Sequence, residues 1–454
     1  MAFVILKIVI GVIKMKKNVI KPSILPGFME LLPKEQRVFN DIVSKITKVY
    51  EENGCFAIDT PIIEKAEVLL AKTGGETEKQ VYSFQKGKNN LALRFDLTVP
   101  FARYVAQYYN DMTFPFKRYQ IGKVYRGERN QRGRYREFYQ CDVDIIGKNK
   151  LSINNDALVI SLASKAFKSI GLRDYRFQIS NRKILKGILN ELKVDKANEV
   201  MILIDKYEKI GRELFLSELE KIIGFEKSKY INKILDINGT NKQIIDELIK
   251  LNLKDKNFIE GIEELNKVTS TLLMLGVKEE EFEINFKIIR GLDYYTGTVF
   301  ETILLGNESY GSICSGGRYD NLAENYTTNI LPGVGISIGL TRLFFVLKEI
   351  GFIEKYKINN SLDYLIIPIG NTMEYSCEVM RILDNNGLSA TIYLEEDSLK
   401  KKLNYANKIE VENVILIGEE EVRSNKVKIK NMISGSEITI DNIELLYKKI
   451  NVYL

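Results

Sequence analysis

The stretch Phe116–Asp144, FKRYQIGKVYRGERNQRGRYREFYQCDVD, threads Arg118, Arg126, Arg129, Arg132, Arg134 and Arg136 between tyrosines and phenylalanines and closes on Asp142 and Asp144. Its residues alternate around the turn-forming ERNQRGR, which predicts two antiparallel strands joined by a long, basic, glycine-containing loop. Guanidinium groups gathered on one hairpin suit a polyanion, because each presents a planar fork of donors to phosphate oxygens. One arginine by itself is more simply a solvated surface residue; the density of arginines here points to a site.

Working outward, the chain of 454 residues has room for two or three domains, and 45% hydrophobic with 28% charged residues is the composition of a soluble globular protein. A net charge of +6 fits an acidic partner such as nucleic acid, but charge concentrated in one hairpin says more. Cys55, Cys141, Cys314 and Cys377 lie far apart with no CxxC spacing, so they read as unpaired structural thiols and not as a metal centre. The N-terminal MAFVILKIVIGVIKMKKNVI is apolar but broken by Lys7, too short to span a bilayer, and lacks a signal-peptidase site. It is either an anchor or, the reading we favour, a non-native or disordered extension over residues 1–14 with translation starting at Met15.

Further along, KEQRVFNDIVSKITKVYEENG (34–54) spaces Val38, Ile42, Ile46 and Tyr50 as a helix that Gly54 ends. CFAIDTPII reads as a strand broken by Pro61, and a helix is expected after FDLTVP, around Phe101–Tyr109. From about 185 to 275 helix formers dominate, which predicts a helical insertion. Strand and glycine signals return in FEINFKIIRGLDYYTGTVFETIL, GSICSGGRYDNL and GVGISIGLTRLFFVL. After the polar EKYKINNS, the segment 362–454 alternates DYLIIPI, MEYSCEVMRILDNNG, SATIYL, SLKKKLNYANKI and NVILIG. That is a βαβαβ pattern with a mostly parallel sheet. The fold class expected is α+β: an antiparallel-sheet domain over 15–350 with the helical insertion, then a small α/β domain.

No Walker A sequence is present, since TGGETEK lacks the GxxxxGK[ST] spacing, and neither GRYDNL nor GVGISIG follows the dinucleotide fingerprint. GVGISIG instead alternates glycine with apolar residues, as suits a strand lying close to another backbone or a flat ligand. Arg342 follows it at the start of an apolar helical run, where free N–H groups favour a phosphate. The arginine hairpin, this strand with Arg342, and IIRGLDYYTG with Arg290 together look built for a nucleotide on an antiparallel sheet.

These three segments resemble motif 2, motif 3 and the histidine-specific RGLDYY element of the class II histidine–tRNA ligases, and GCFAIDTPIIEKAEVL with Pro61 resembles motif 1. The resemblance runs in family order from about Ser23 to Leu454. It implies a class II catalytic domain and a C-terminal anticodon-binding domain, with ATP, Mg²⁺, L-histidine and tRNA(His) as ligands, a homodimer, a cytoplasmic location and no membrane association. By resemblance, Arg126 and Arg342 bind the α- and γ-phosphates of ATP, Glu128 and Arg134 hold adenine and phosphate, and Phe138 stacks on adenine. Arg290 grips the histidine carboxylate and the α-phosphate. Asp96, Thr98 and Gln140 take the α-amino group, while Asp144, Tyr295 and Tyr319 read the imidazole and Tyr294 lines the same pocket. No protein metal site is implied.

The chemistry is coherent with those residues. The histidine carboxylate attacks the α-phosphorus already ionised, so positioning and charge neutralisation suffice and no general base is needed. An imidazole offers one donor and one acceptor, which a carboxylate and a tyrosine hydroxyl satisfy together. Two departures stand out: Thr341 replaces the usual motif 3 glutamate, and a family DAE reads Asp156-Ala157-Leu158. A rival reading is a non-catalytic regulatory subunit of histidine biosynthesis, but such paralogues usually lose the ATP-binding arginines and the C-terminal domain. A ligase for another amino acid is argued against by RGLDYYTG. The motif 1 helix is either a dimer contact or an ordinary core helix.

The chain contains no histidine and no tryptophan. In the charging step a phosphate oxygen of the adenylate can accept the ribose proton, so catalysis does not require an imidazole. Compositional drift is one account. The other is that ribosomes making this protein never wait for charged histidine tRNA. In a translation system depleted of histidine, this message is then expected to outperform one carrying added surface histidines; equal yields would leave drift as the explanation.

Overall fold

The computed structural model describes residues 20–71, 76–128, 132–289, 294–358 and 362–441. Two compact units divide between Tyr356 and Lys357. The strands of the first unit are β1 (Phe56–Ala57), β2 (Ile63–Lys65), β3 (Ser83–Lys86), β4 (Asn89–Leu93), β5 (Phe116–Tyr125), β6 (Glu137–Ile146), β7 (Tyr175–Asn181), β8 (Phe282–Ile284), β9 (Thr298–Leu304), β10 (Cys314–Tyr319) and β11 (Gly333–Gly339). Eight of them form one sheet in the order β1-β5-β6-β11-β10-β9-β7-β8, with β2, β4 and β3 in a separate small sheet. The large sheet is antiparallel except at its ends, where β1 runs parallel to β5 and β8 parallel to β7.

The arginine-rich stretch forms the expected hairpin. Its register sets Arg118 opposite Asp144 and Gln120 opposite Asp142. On the other side of β6, β11 sets Gly335 opposite Asp144 and Ser337 opposite Asp142. The acids at the end of the quoted stretch therefore lie at the middle of the sheet, between two neighbours whose side chains share their face.

The helix Pro33–Glu52 carries proline at its first turn, where its missing N–H costs nothing, and buries Val38, Phe39, Ile42, Ile46 and Tyr50. Phe39 packs edge-on against Tyr139 and Phe344 at 5.3 and 5.4 Å between ring centres. Its apolar stripe thus belongs to the core of its own domain. The helix expected at Phe101–Tyr109 begins earlier, at Thr98, and ends at Gln107. Asp96 explains the difference: its Oδ1 accepts from the Thr98 and Val99 N–H groups, starting the helix ahead of Pro100, which sits harmlessly in the first turn.

Between β7 and β8 the chain is helical from Arg182–Glu191 to Lys256–Met274. Its turns are set by local chemistry, as at Thr240, whose side chain and Gln243 make a capping box, and at Asp255, which caps Asn257 and Phe258. In the second unit β12 (Tyr364–Pro368), β13 (Ala390–Ile392), β14 (Asn413–Ile417), β15 (Val427–Asn431) and β16 (Glu437–Ile440) form a sheet ordered β13-β12-β14-β15-β16. The first three are parallel, as the alternation predicted. The sequence reading left out β15 and β16, which add an antiparallel hairpin because VKIKN and EITI alternate across the turn at Ser434–Gly435. Alternate residues of β12 face opposite helices, Ile366 packing with Val379 and Leu383, Leu365 and Ile367 with Ala406.

One buried ion pair ties the helix Asn154–Ser169 to the sheet. Asp156 is fully buried and receives Arg318 of β10 in bidentate fashion, Nη2 to Oδ1 at 2.7 Å and Nε to Oδ2 at 3.2 Å. The departure at Asp156-Ala157-Leu158 thus keeps the acid that the sheet needs. Asp156→Ala leaves a buried guanidinium under-compensated and is expected to cost about 3–5 kcal/mol of unfolding free energy. Denaturant unfolding at constant slope measures it, and a loss below about 1 kcal/mol would show the pair to be dispensable.

Candidate active site

A cleft of about 540 Å³ opens on the first unit, and its walls come from the ends of β5 and β6, the start of the helix Thr98–Gln107, and the junction of β11 with the helix Leu340–Glu349. Arg126, just past β5, lies over the rings of Phe95 and Phe138 at 4.3 and 5.1 Å and donates through Nε to the Phe95 carbonyl. Arg342 is held by two carbonyls, Nε to Gly133 at 3.2 Å and Nη1 to Ser312 at 2.9 Å. Its proton affinity is lowered, first by burial and then by the charge of Arg134, with Arg126 adding to the effect. Glu128 lies 3.5 Å from Arg134 and is the carboxylate that partly offsets these cations. Three guanidinium groups crowded on one wall favour a polyanion, which relieves their mutual repulsion.

Thr341 does not steer Arg342. Its buried hydroxyl accepts from the Tyr139 N–H at 2.8 Å, pinning the helix Leu340–Glu349 to β6. The carbonyls of Gly133 and Ser312 do the orienting.

Beyond the cleft lies a smaller pocket lined by Asp142, Asp144 and Tyr319, and the two spaces share Thr98, Tyr295, Ser315 and Ser337. Asp144 is ion-paired through Oδ2 with Arg118 Nη2 at 2.6 Å and accepts the Tyr319 hydroxyl on Oδ1 at 2.6 Å. Arg118 has no solvent exposure, stacks on Phe101 at 4.5 Å and also donates to the Leu97 carbonyl. Burial pushes the Asp144 carboxyl upward, and Arg118 and the Tyr319 hydroxyl pull it back. Burial likewise holds the Tyr319 phenol far above its ordinary value, so it stays a donor. Tyr294 meets Tyr295 at 4.7 Å and Tyr319 edge-on at 6.1 Å. The glycines of GVGISIG have a steric reason: a Cβ on Gly335 would run into the Asp144 carboxylate, and one on Gly333 into the Tyr319 ring.

Asp96, Thr98, Arg126, Glu128, Arg134, Phe138, Gln140, Tyr294, Tyr295 and Arg342 all line the cleft, and Asp144 and Tyr319 line the inner pocket. Arg290 and Arg129 lie outside the described residues. The other described arginines of the hairpin are engaged elsewhere. Arg118 is buried against Asp144, Arg132 pairs with Glu349 beside Tyr310, and Arg136 donates to the Glu128 carbonyl. Sequence reasoning missed Asp142 and Ser337, although Gln140, Asp142 and Asp144 alternate on one strand face. It also missed Asp205 and Lys209, which the helical insertion brings to the cleft and which no local pattern marks.

Two family models match the chain, histidyl-tRNA synthetase over residues 27–343 and anticodon binding domain over residues 363–450. A histidine–tRNA ligase of Clostridium acetobutylicum is 64% identical over 427 residues, covering 94% of this chain and 99% of the relative. One from Clostridium tetani is 51% identical, covering 93% and 97%. The crystal structure of histidyl-tRNA synthetase from Nostoc sp. PCC 7120 superposes with a TM-score of 0.85 at 34% identity, covering 96% of this chain and all of that one. With a guanidinium-walled cleft leading into a pocket of carboxylates and tyrosines, and with likeness running through both units, this chain belongs to the histidyl-tRNA synthetase family of class II aminoacyl-tRNA ligases.

Proposed function

We infer that the chain activates L-histidine with ATP to histidyl-adenylate, releasing pyrophosphate, and transfers the histidyl group to the 3′ end of tRNA(His), releasing AMP. The observation that carries this reading is the continuity of two unlike spaces, a cleft walled by Arg126, Arg134 and Arg342 and an inner pocket walled by Asp142, Asp144 and Tyr319. A triphosphate belongs in the first and a small cationic or N–H-bearing side chain in the second. Retention of Arg126 and Arg342 in the cleft speaks against a purely regulatory role.

In this reading the adenine stacks on Phe138, Arg126 neutralises the α-phosphate and Arg342 the γ-phosphate, with Glu128 and Arg134 holding the nucleotide between them. Arg290 grips the carboxylate and α-phosphate. Thr98, Gln140 and the Asp96 carboxylate, one oxygen of which already caps the helix, receive the α-ammonium. Tyr294 and Tyr295 close the side of the amino-acid pocket, and Asp144 and Tyr319 form its polar end. The fixed guanidinium groups supply the electrostatic stabilisation that phosphoryl chemistry depends on. Mg²⁺ fits as an ion carried by the triphosphate, with Glu128 among the carboxylates that line the cleft, since no cluster of three metal-ligating side chains occurs among the described residues. When bound, it neutralises phosphate charge.

We also propose a cytoplasmic homodimer. The edge strand β1 and the segment after it leave Phe56 at 65%, Ile62 at 41% and Ile63 at 49% exposure, an apolar strip that a second copy would cover. No helix among the described residues is long and apolar enough to cross a membrane. The domains we propose are a catalytic domain over 15–350, with its insertion at about 185–275, and an anticodon-binding domain over 362–454.

Histidine-dependent ATP–pyrophosphate exchange tests the reading directly. Arg342→Ala is expected to lower kcat/KM for ATP in that assay by about 100-fold or more, the scale for removing a preorganised charge from a reaction site. A variant within threefold of the parent would remove Arg342 from the mechanism.

Truncation after Tyr356 separates the two half-reactions. Exchange is expected to persist and tRNA charging to fall steeply, measured side by side. Parallel loss of both would mean that the second unit supports the first structurally instead of binding tRNA.

A further inference from the structure

Arg342, Phe345 and Glu349 are spaced to lie along one stripe of the helix Leu340–Glu349. Arg342 reaches the cleft, but the two carbonyls that hold it come from elsewhere. One is Gly133, in the loop of the arginine hairpin, and the other is Ser312, in the loop between β9 and β10. These two loops meet on Phe345. Gly133 is buried so close to this ring that a Cβ there would come within 3.2 Å of Phe345 Cδ1. Tyr135 of the first loop meets the ring edge-on at 6.3 Å, and Tyr310 of the second does so at 6.2 Å. Arg132 joins the same cluster, standing over the Tyr310 ring at 5.5 Å and pairing with Glu349.

We propose that Phe345 is a positioning residue for the nucleotide: its ring holds the Gly133 and Ser312 loops together, and through their carbonyls it fixes the Arg342 guanidinium at the cleft. The proposal rests on reading the cleft as the triphosphate site.

An arginine side chain has much rotamer freedom to lose, and this one is also opposed by burial and by the charges of Arg134 and Arg126. Two carbonyls can hold it against those costs only while their loops keep their spacing. The Arg132–Glu349 pair is a weak tie, because Arg132 is 70% exposed and an ion pair in water contributes little. Edge-on ring contacts are not screened in that way. Tyr135 and Tyr310 each belong to one loop, whereas Phe345 meets both and stands one helical turn from Arg342 itself.

The test measures the Kd of the full-length protein for ATP with Mg²⁺ by calorimetry, beside histidine-dependent pyrophosphate exchange. Phe345→Ala is expected to raise the Kd for ATP about tenfold, an ordinary coupling for groups in contact, while Phe345→Tyr keeps it within about twofold. The KM for histidine stays within about twofold in both. The double variant decides between positioning and plain packing. With Arg342→Ala already present, Phe345→Ala is expected to change the Kd by less than about twofold, because the group that the ring positions is gone. A ring that only supports the fold would weaken ATP binding equally in both backgrounds. That additivity, an unmoved Kd in Phe345→Ala, or a matching rise in the KM for histidine overturns the proposal. A parent that binds ATP but shows no exchange with histidine overturns the histidine reading alone, since the Kd comparison still decides the role of the ring. A parent that binds no ATP overturns both.

Discussion

Arg118 and Asp144 face each other across β5 and β6 at 2.6 Å, with no solvent at the guanidinium. Taking two such charges out of water is costly, and Arg118 Nε and Nη1 find no hydrogen-bond partner to soften it. What the pair does fix is position. Through Asp144 it sets the Tyr319 hydroxyl of β10, and through the Leu97 carbonyl and the Phe101 ring it sets the helix that Asp96 starts. Three strands and one helix end are keyed to a single guanidinium, and Thr98, Asp142, Asp144, Ser315 and Tyr319 of the inner pocket belong to those elements.

Around that anchor the molecule keeps two fields of opposite sign side by side. The cleft is walled by Arg126, Arg134 and Arg342, while Asp96, Asp142 and Asp144 gather near the amino-acid end. On the function proposed above, an entering zwitterion would turn its carboxylate toward the arginines and its ammonium toward the acids. In that reading the phosphorus to be attacked would lie on the arginine side, and orientation and activation would come from the same arrangement of charge.

Much of this was legible along the chain, and the limits have physical causes. The hairpin could be read because strand period and turn chemistry are local properties, and the C-terminal parallel strands because helical and strand periods alternate there without interruption. The roles of individual arginines were not legible, since residue type reveals a charge but not the partner across the sheet. Arg118 was counted with the phosphate binders although the register that pairs Tyr125 with Glu137 also carries it onto Asp144. The helix start was misplaced because Pro100 looked like a boundary, when Asp96 had already supplied the cap. Asp205 and Lys209 belong to the cleft only through the packing of a distant insertion, and no short-range signal announces such a contact.

The glycine strand β11 has an implication for how this protein can change. Where Gly335 lines the pocket its floor is bare main chain, pressed against Asp144 so closely that not even a methyl group fits, and Gly333 is held as closely by Tyr319. Side chains can be exchanged by mutation, but a backbone floor cannot be lowered. Any route toward a bulkier amino acid, whether in evolution or in the laboratory, must therefore enlarge the pocket sideways through its walls. In the proposed function those walls are the polar residues that select the ligand, so broadening the substrate range and abandoning histidine would become the same step.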